Sequence, residues 1–138
     1  MDEKYDALQG RRVLVVDDST QITSLIREVL RACGAEVVTV NSGQQAMVRV
    51  QVDEFDLLLL DVKMPEADGW RILMFVRDVQ PELLPHTILL TGDRYHAETL
   101  QRAGQMAVPV IYKPFDVGEL RAVACALLNN VSGTLGAA

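Results

Sequence analysis

Three short apolar runs in this chain stop abruptly at a charge. Val13-Leu14-Val15-Val16 ends in Asp17 and Asp18, Leu57-Leu58-Leu59-Leu60 ends in Asp61, and Val110-Ile111-Tyr112 ends in Lys113. A fourth run, His86 to Leu90, ends in Thr91-Gly92. Short runs that are apolar at every position, without alternation, read as parallel strands covered by helices on both faces. The carboxyl ends of such strands emerge at one open edge, which is where open α/β sheets bind ligands. Neighbouring strands lie about 4.8 Å apart, so three carboxylates and an ammonium would be gathered into one small pocket.

The rest of the chain supports that architecture. Strand-like runs alternate with amphipathic helices five times, the pattern of a single doubly wound α/β domain with a five-stranded parallel sheet and five helices. Ser19 is placed to cap a first helix whose stripe is Ile22, Leu25, Ile26, Val29, Leu30 and Cys33, with Gly34 ending it. Glu36 to Val40 reads as the second strand, and Ser42-Gly43-Gln44-Gln45 as the capping box of a helix to about Val50. Val62 to Gly69 reads as a loop, followed by a helix with Ile72, Phe75, Val76 and Val79 inward; Trp70 is expected to cap it against that loop. Pro81 and Pro85 bracket a turn. A helix over about Tyr95 to Ala103 has only Ala97, Leu100 and Ala103 as a thin stripe. Val108 to Tyr112 is the fifth strand. The last helix turns Val117, Leu120, Ala124, Leu127, Leu128 and Val131 inward. The domain is expected over 11–131, with an N-terminal extension over 1–10 and a flexible tail over 132–138.

Composition narrows the function. A chain of 138 residues, 49% hydrophobic, suits one domain. A net charge of −6 argues against nucleic-acid binding through this domain, which would need clustered Lys and Arg. No apolar run approaches a membrane span, and Met1-Asp2-Glu3-Lys4 does not open a signal peptide, so a cytoplasmic protein is expected. Cys33 and Cys125 fall in helical stripes without metal-ligand spacing and are expected to be reduced core residues. His86 and His96 are expected to be solvated.

The pocket itself has a charge problem. Two carboxylates 4 Å apart repel by about 4 kcal/mol at an effective dielectric of 20. A divalent cation relieves this best, and Mg²⁺, with Mn²⁺ as the alternative, takes hard oxygen ligands while keeping several waters. Asp18 and Asp61 are expected to bind it, with Asp17 acting directly or through water. One carboxylate can then attack phosphorus, as Asp side chains do in phosphoryl transfer. Lys113 and the Thr91 hydroxyl are suited to hold phosphoryl oxygens.

From about Arg11 to Asn130 the chain resembles the receiver domains of two-component response regulators, the chemotaxis-regulator-like family. The matching pieces are Val-Val-Asp17-Asp18-Ser, Leu-Leu-Leu-Leu-Asp61-Val-Lys-Met-Pro65 with Asp68-Gly69 beyond it, Leu-Leu-Thr91-Gly92, and Tyr-Lys113-Pro114-Phe115. The resemblance implies a flavodoxin-like sheet of order 2-1-3-4-5 and a phosphorelay switch. Asp61 would be the phosphoacceptor, charged by a histidine kinase or histidine phosphotransfer protein. Asp17, Asp18, Asp61 and the Lys63 carbonyl would serve the metal, Thr91 would be the switch hydroxyl, and Lys113 would contact the phosphoryl group. It further implies a cis peptide before Pro114 and a signalling face made by the fourth helix, the fifth strand and the last helix, used by a monomer or weak dimer to bind a downstream protein. Such a domain catalyses only its own phosphorylation and dephosphorylation.

The departures define the alternatives. The family usually carries an aromatic three positions before the lysine, where this chain has Val110; Tyr112 lies two residues on, on the same strand face. The stretch Gly104 to Pro109 also departs from the family's spacing. A receiver fold acting without phosphorylation is therefore the second reading. A Mg²⁺ phosphohydrolase ranks lower, since such enzymes place an acid two residues after the nucleophile and here that residue is Lys63. A flavin protein would need a phosphate loop where Asp17 and Asp18 stand. Lys63 and Asp93, two residues beyond Asp61 and Thr91, are the candidates for tuning phosphate lifetime.

Overall fold

The computed structural model describes residues 3–64, 67–92 and 97–137. Five strands, β1 (Arg12–Val16), β2 (Glu36–Val40), β3 (Leu57–Asp61), β4 (Thr87–Thr91) and β5 (Val110–Tyr112), form one parallel sheet. Its order is β2-β1-β3-β4-β5, the doubly wound order expected. Between and after the strands run α1 (Thr20–Ala32), α2 (Gly43–Val52), α3 (Gly69–Val79), α4 (Ala97–Met106) and α5 (Val117–Ala137).

The unbroken apolar runs are explained by burial on both faces of the sheet. Leu14, Val16, Leu58, Leu60 and Leu89 face the layer built by α2, α3 and α4. Val13, Val15, Leu57, Leu59, Ile88, Leu90 and Ile111 face the other layer, with α1 and α5. Successive side chains of a strand alternate between faces, so a strand covered twice has no position for a polar residue until it leaves the sandwich.

Local signals set both ends of α1 and the start of α2. Ser19 caps α1, its hydroxyl accepting the Ile22 N–H at 3.3 Å. At the other end Gly34, with φ of +90°, closes a Schellman turn in which the Ala35 N–H donates to Leu30 and the Gly34 N–H to Arg31. Ser42 caps α2, and Gln45 reaches back to the Asn41 N–H at 3.2 Å.

Several boundaries differ from expectation. The Val62–Gly69 loop contains a two-residue antiparallel hairpin, Lys63–Met64 with Ala67–Asp68. The Pro81–Pro85 turn is a 3-10 helix, Pro81–His86, so β4 starts at Thr87. His86 is not a solvated side chain: its Nδ1 lies 3.0 Å from the Asp56 carbonyl. Strand β5 starts two residues late because Pro109 has no N–H to give the ladder, although its carbonyl still accepts from Leu89 at 2.9 Å. Helix α4 ends at Met106 rather than near Ala103, and α5 is helical to Ala137, so no helix end falls at Val131. No proline interrupts that last stretch, so every residue there keeps the N–H that a helix needs. Leu25, Val79 and Leu100 are exposed rather than inward, while Thr23 and Leu73 are buried in their stead. Tyr95, His96 and Asp93 lie outside the described residues, as do the side chains of Ala97 and Val131.

Two features carried no obvious signal. Residues Glu3–Leu8 form a 3-10 helix, and Leu8 is fully buried in the α1/α5 layer. Gln80, also buried, accepts the Phe55 N–H at 2.8 Å and donates to the Val50 and Asp53 carbonyls. It ties the end of α2 to the approach to β3. Cys33 and Cys125 are free and buried.

Candidate functional site

Strand register brings the sequence-predicted residues together. Val16 pairs with Leu60, so Asp17 and Asp61 leave β1 and β3 side by side. Asp61 pairs with Leu90 and Thr91 with Tyr112, which sets Thr91 and Lys113 on the next two strands. Asp17 and Thr91 are fully buried, Asp61 nearly so, and Asp18 is exposed.

Lys113 holds the pocket. Its Nζ donates to Asp17 Oδ2 at 2.6 Å and to Asp61 Oδ2 at 3.2 Å. The other oxygens are held by backbone: Asp17 Oδ1 accepts the Ser19 N–H at 2.9 Å, and Asp61 Oδ1 accepts the Lys63 N–H at 3.0 Å. Asn41 Nδ2 donates to the Asp17 carbonyl at 3.4 Å, and the Lys113 N–H to the Thr91 carbonyl at 2.8 Å. The Lys113–Pro114 peptide is cis.

The electrostatics leave this pocket short of positive charge. Burial, the largest influence, pushes the Asp61 carboxyl above the usual carboxylate range; the Lys63 N–H and Lys113 pull it down, and Asp17 adds to the rise. Burial also works against the Lys113 ammonium, but the hydrogen bond to Asp17 and the charges of Asp61 and Asp17 outweigh it, so its pKa stands above the ordinary lysine value. One carboxylate oxygen from each of Asp17, Asp18 and Asp61 lies within 4.8 Å of the others. Three acids against one ammonium fit a small divalent cation with hard oxygen ligands.

A carboxyl whose pKa is higher in the folded than in the unfolded chain favours folding while protonated. That contribution is complete below the unfolded pKa and is lost as pH rises through the folded one. Under chelating conditions Asp61→Asn should therefore be more stable than the parent at neutral pH, with the difference closing in mild acid. Urea melts at the two pH values check this; a parent as stable as the variant at neutral pH would contradict it.

Other expected residues stand apart. The Lys63 side chain is exposed, and its backbone N–H is the group that reaches Asp61. Val110 is partly buried against the α2/α3/α4 layer, and Tyr112, half-buried, pairs with Thr91 across β4 and β5. Trp70 is half-buried against that same layer, with the Arg102 guanidinium carbon 4.9 Å from its ring centroid. Nothing local in the sequence announces that pair, because its partners are on different helices. Ser19 reads from the sequence only as a helix cap and Asn41 carries no signal there, although both hold Asp17.

Comparison with known proteins agrees with this geometry. Residues 13–124 match the response regulator receiver domain. Response regulator protein PmrA of Pseudomonas aeruginosa is 34% identical over 122 residues, covering 88% of this chain and 54% of that protein. The alkaline phosphatase synthesis transcriptional regulatory protein PhoP of Bacillus subtilis is 29% identical over 119 residues, covering 86% and 49%. The chain spans between about a quarter and a half of the length of the curated relatives it matches. Among solved structures, a CheY-like response regulator receiver domain protein from Methanospirillum hungatei superposes with a TM-score of 0.83 at 23% identity, covering 91% of this chain and 99% of that one.

Proposed function

Because the chain belongs to the response regulator receiver domain family, we propose that Asp61 is its phosphoacceptor, served by a histidine kinase or histidine phosphotransfer protein. The observation that carries this reading is the Lys113 ammonium shared between Asp17 and Asp61 at the ends of neighbouring strands. Receivers act as regulators rather than turnover enzymes. Self-modification at Asp61 is the only chemistry proposed here.

An Asp61 carboxylate oxygen attacks phosphorus of a phosphohistidine; the new P–O bond forms as the P–N bond breaks, and the imidazole leaves with the electron pair and takes a proton from solvent. Asp18, Asp61 and the Lys63 carbonyl would hold Mg²⁺ or Mn²⁺, with Asp17 direct or through water. When bound, the metal neutralises charge on the phosphoryl oxygens. Asp17, gripped by the Ser19 N–H and by Lys113, keeps its orientation throughout. Lys113 can follow the charge from the Asp61 carboxylate to the phosphoryl group, and the buried Thr91 hydroxyl stands at the next strand end to donate to it. Lys63 and Asp93 remain the candidates for setting phosphate lifetime.

The altered surface would then bind a downstream protein in the cytoplasm. Among the described residues no helix is long and apolar enough to cross a membrane. A receiver fold that works without phosphorylation is the second reading, and Val110 at the usual aromatic position is what favours it. Magnesium separates the two. In the phosphorylated reading, Mg²⁺ titration should change Trp70 emission to saturation and raise the melting temperature, and Asp18→Ala should move the midpoint up by about tenfold. A flat response of the parent chain on both measures would remove the metal from the mechanism.

A further inference from the structure

Helix α3 starts with no slack against the acidic site. A Cβ on Gly69 would lie 2.7 Å from Val62 Cα and 3.0 Å from the Asp61 carbonyl oxygen. The Gly69 N–H also donates to the Val62 carbonyl at 3.3 Å. The first turn of α3 therefore rides on the backbone that leaves Asp61. That backbone is held in turn by the Lys63 N–H on Asp61 Oδ1. The residue after Gly69 is Trp70, and over its ring lies Arg102 of α4, beside the buried Ala103. One chain of contacts thus joins the Asp61 carboxylate to α4.

We infer that the Arg102–Trp70 stack is a latch coupling the acidic edge to α4: it holds α4 while Asp61 is a free carboxylate and loosens when Asp61 is phosphorylated. This rests on the receiver reading above. Phosphorylation turns the carboxylate into an acyl phosphate, so Asp61 loses its own negative charge and the charge-assisted bond from the Lys63 N–H weakens. The backbone over 62–63 then loses that restraint and can shift about the Lys63 carbonyl that would face the metal. Close-packed contacts transmit such a shift rather than absorb it, so Gly69 carries the first turn of α3, and Trp70, with it. A cation acts on a ring face only within about 6 Å of the centroid. At 4.9 Å, Arg102 has little margin before the stack fails. A flat guanidinium also stacks on indole in a way an ammonium does not. Such a route would do the work that an aromatic at position 110 does elsewhere, since Val110 offers no ring to move.

The test uses the full chain with Mg²⁺ and acetyl phosphate, whose P–O bond to acetate breaks as Asp61 takes the phosphoryl group. Labelling of Asp61 is read by intact mass, and amide hydrogen exchange is followed over 97–106. In the parent, labelling should speed exchange in α4 by about fivefold. In Arg102→Gln, α4 should already exchange fast without the donor, and labelling should persist while the further change falls under about twofold. Trp70→Phe, which keeps a ring in place, should fall between the two. A stack with a merely structural role would raise exchange in both states and leave their ratio unchanged. An Arg102→Gln chain that is labelled and keeps the parent's ratio overturns the latch alone. Failure to label the parent overturns the latch together with the receiver reading.

Discussion

Replacing Asp61 with Ala is expected to abolish phosphoryl transfer to this chain, by about a hundredfold or more in labelling from acetyl phosphate or a phosphohistidine donor. No neighbouring group can take its place. Asp17 is fully buried and is the more tightly held of the two buried acids, with Lys113 at 2.6 Å against 3.2 Å to Asp61. Asp18 is exposed, and the hydrogen bonds that Lys113 makes to Asp17 and Asp61 do not include it. Asp61 combines both requirements, being almost buried and yet at the open end of β3. Equal labelling of the parent and of Asp61→Ala would refute the assignment. The variant should remain folded, because the side chain removed is a carboxyl that the fold prefers protonated.

Lys113→Ala should damage the fold itself. Its ammonium is the cation that both buried carboxylates contact, and removing it leaves them in a poorly solvated pocket. Stranding a buried charge costs 3–5 kcal/mol in general; with Lys113 21% exposed, the expected loss is at the lower end, about 3 kcal/mol. Its pKa is raised on folding, so this stabilisation is complete at pH values below the ordinary lysine pKa and disappears only as pH rises through the folded value. The deficit should accordingly be present in full at neutral pH. Mg²⁺ should return much of it, because a divalent cation in the acid cluster does part of the missing work, and should stabilise the variant more than the parent. Urea midpoints with and without Mg²⁺ measure both effects. An unchanged midpoint without metal would show that Lys113 does not neutralise the pocket.

Reading the site from sequence was possible because chain geometry writes it in plain form. A strand buried on both faces cannot hold Asp or Lys until it emerges, so the residues at which Leu57–Leu60 and Val13–Val16 break off are those at the open edge. Parallel register then does the gathering, without help from any loop. The parts that were not legible depend on partners distant in the chain. Gln80 has no local reason to be buried; its carbonyl and amide are used only because residues 50, 53 and 55 converge on it. Leu25 belongs to the stripe read for α1 and Leu73 lies outside the one read for α3, yet the first is exposed and the second buried, because the packed layer and not the helix alone decides which side is covered. The Trp70–Arg102 pair belongs to the same class: two ordinary surface-capable residues become a contact because α3 and α4 share a layer.

Leu8 bears on how such modules can be moved between proteins. A cut made just ahead of the first strand looks natural, since the repeating pattern begins there. Yet Leu8 lies wholly within the α1/α5 layer, Arg11 Nε donates to the Ala7 carbonyl, and the Gly10 N–H donates to the Gly34 carbonyl at the end of α1. The short leader is one wall of the domain's interior. For recombination, natural or designed, the transferable unit therefore begins upstream of the first strand, and a graft joined at Arg11 would arrive with a hole under its final helix.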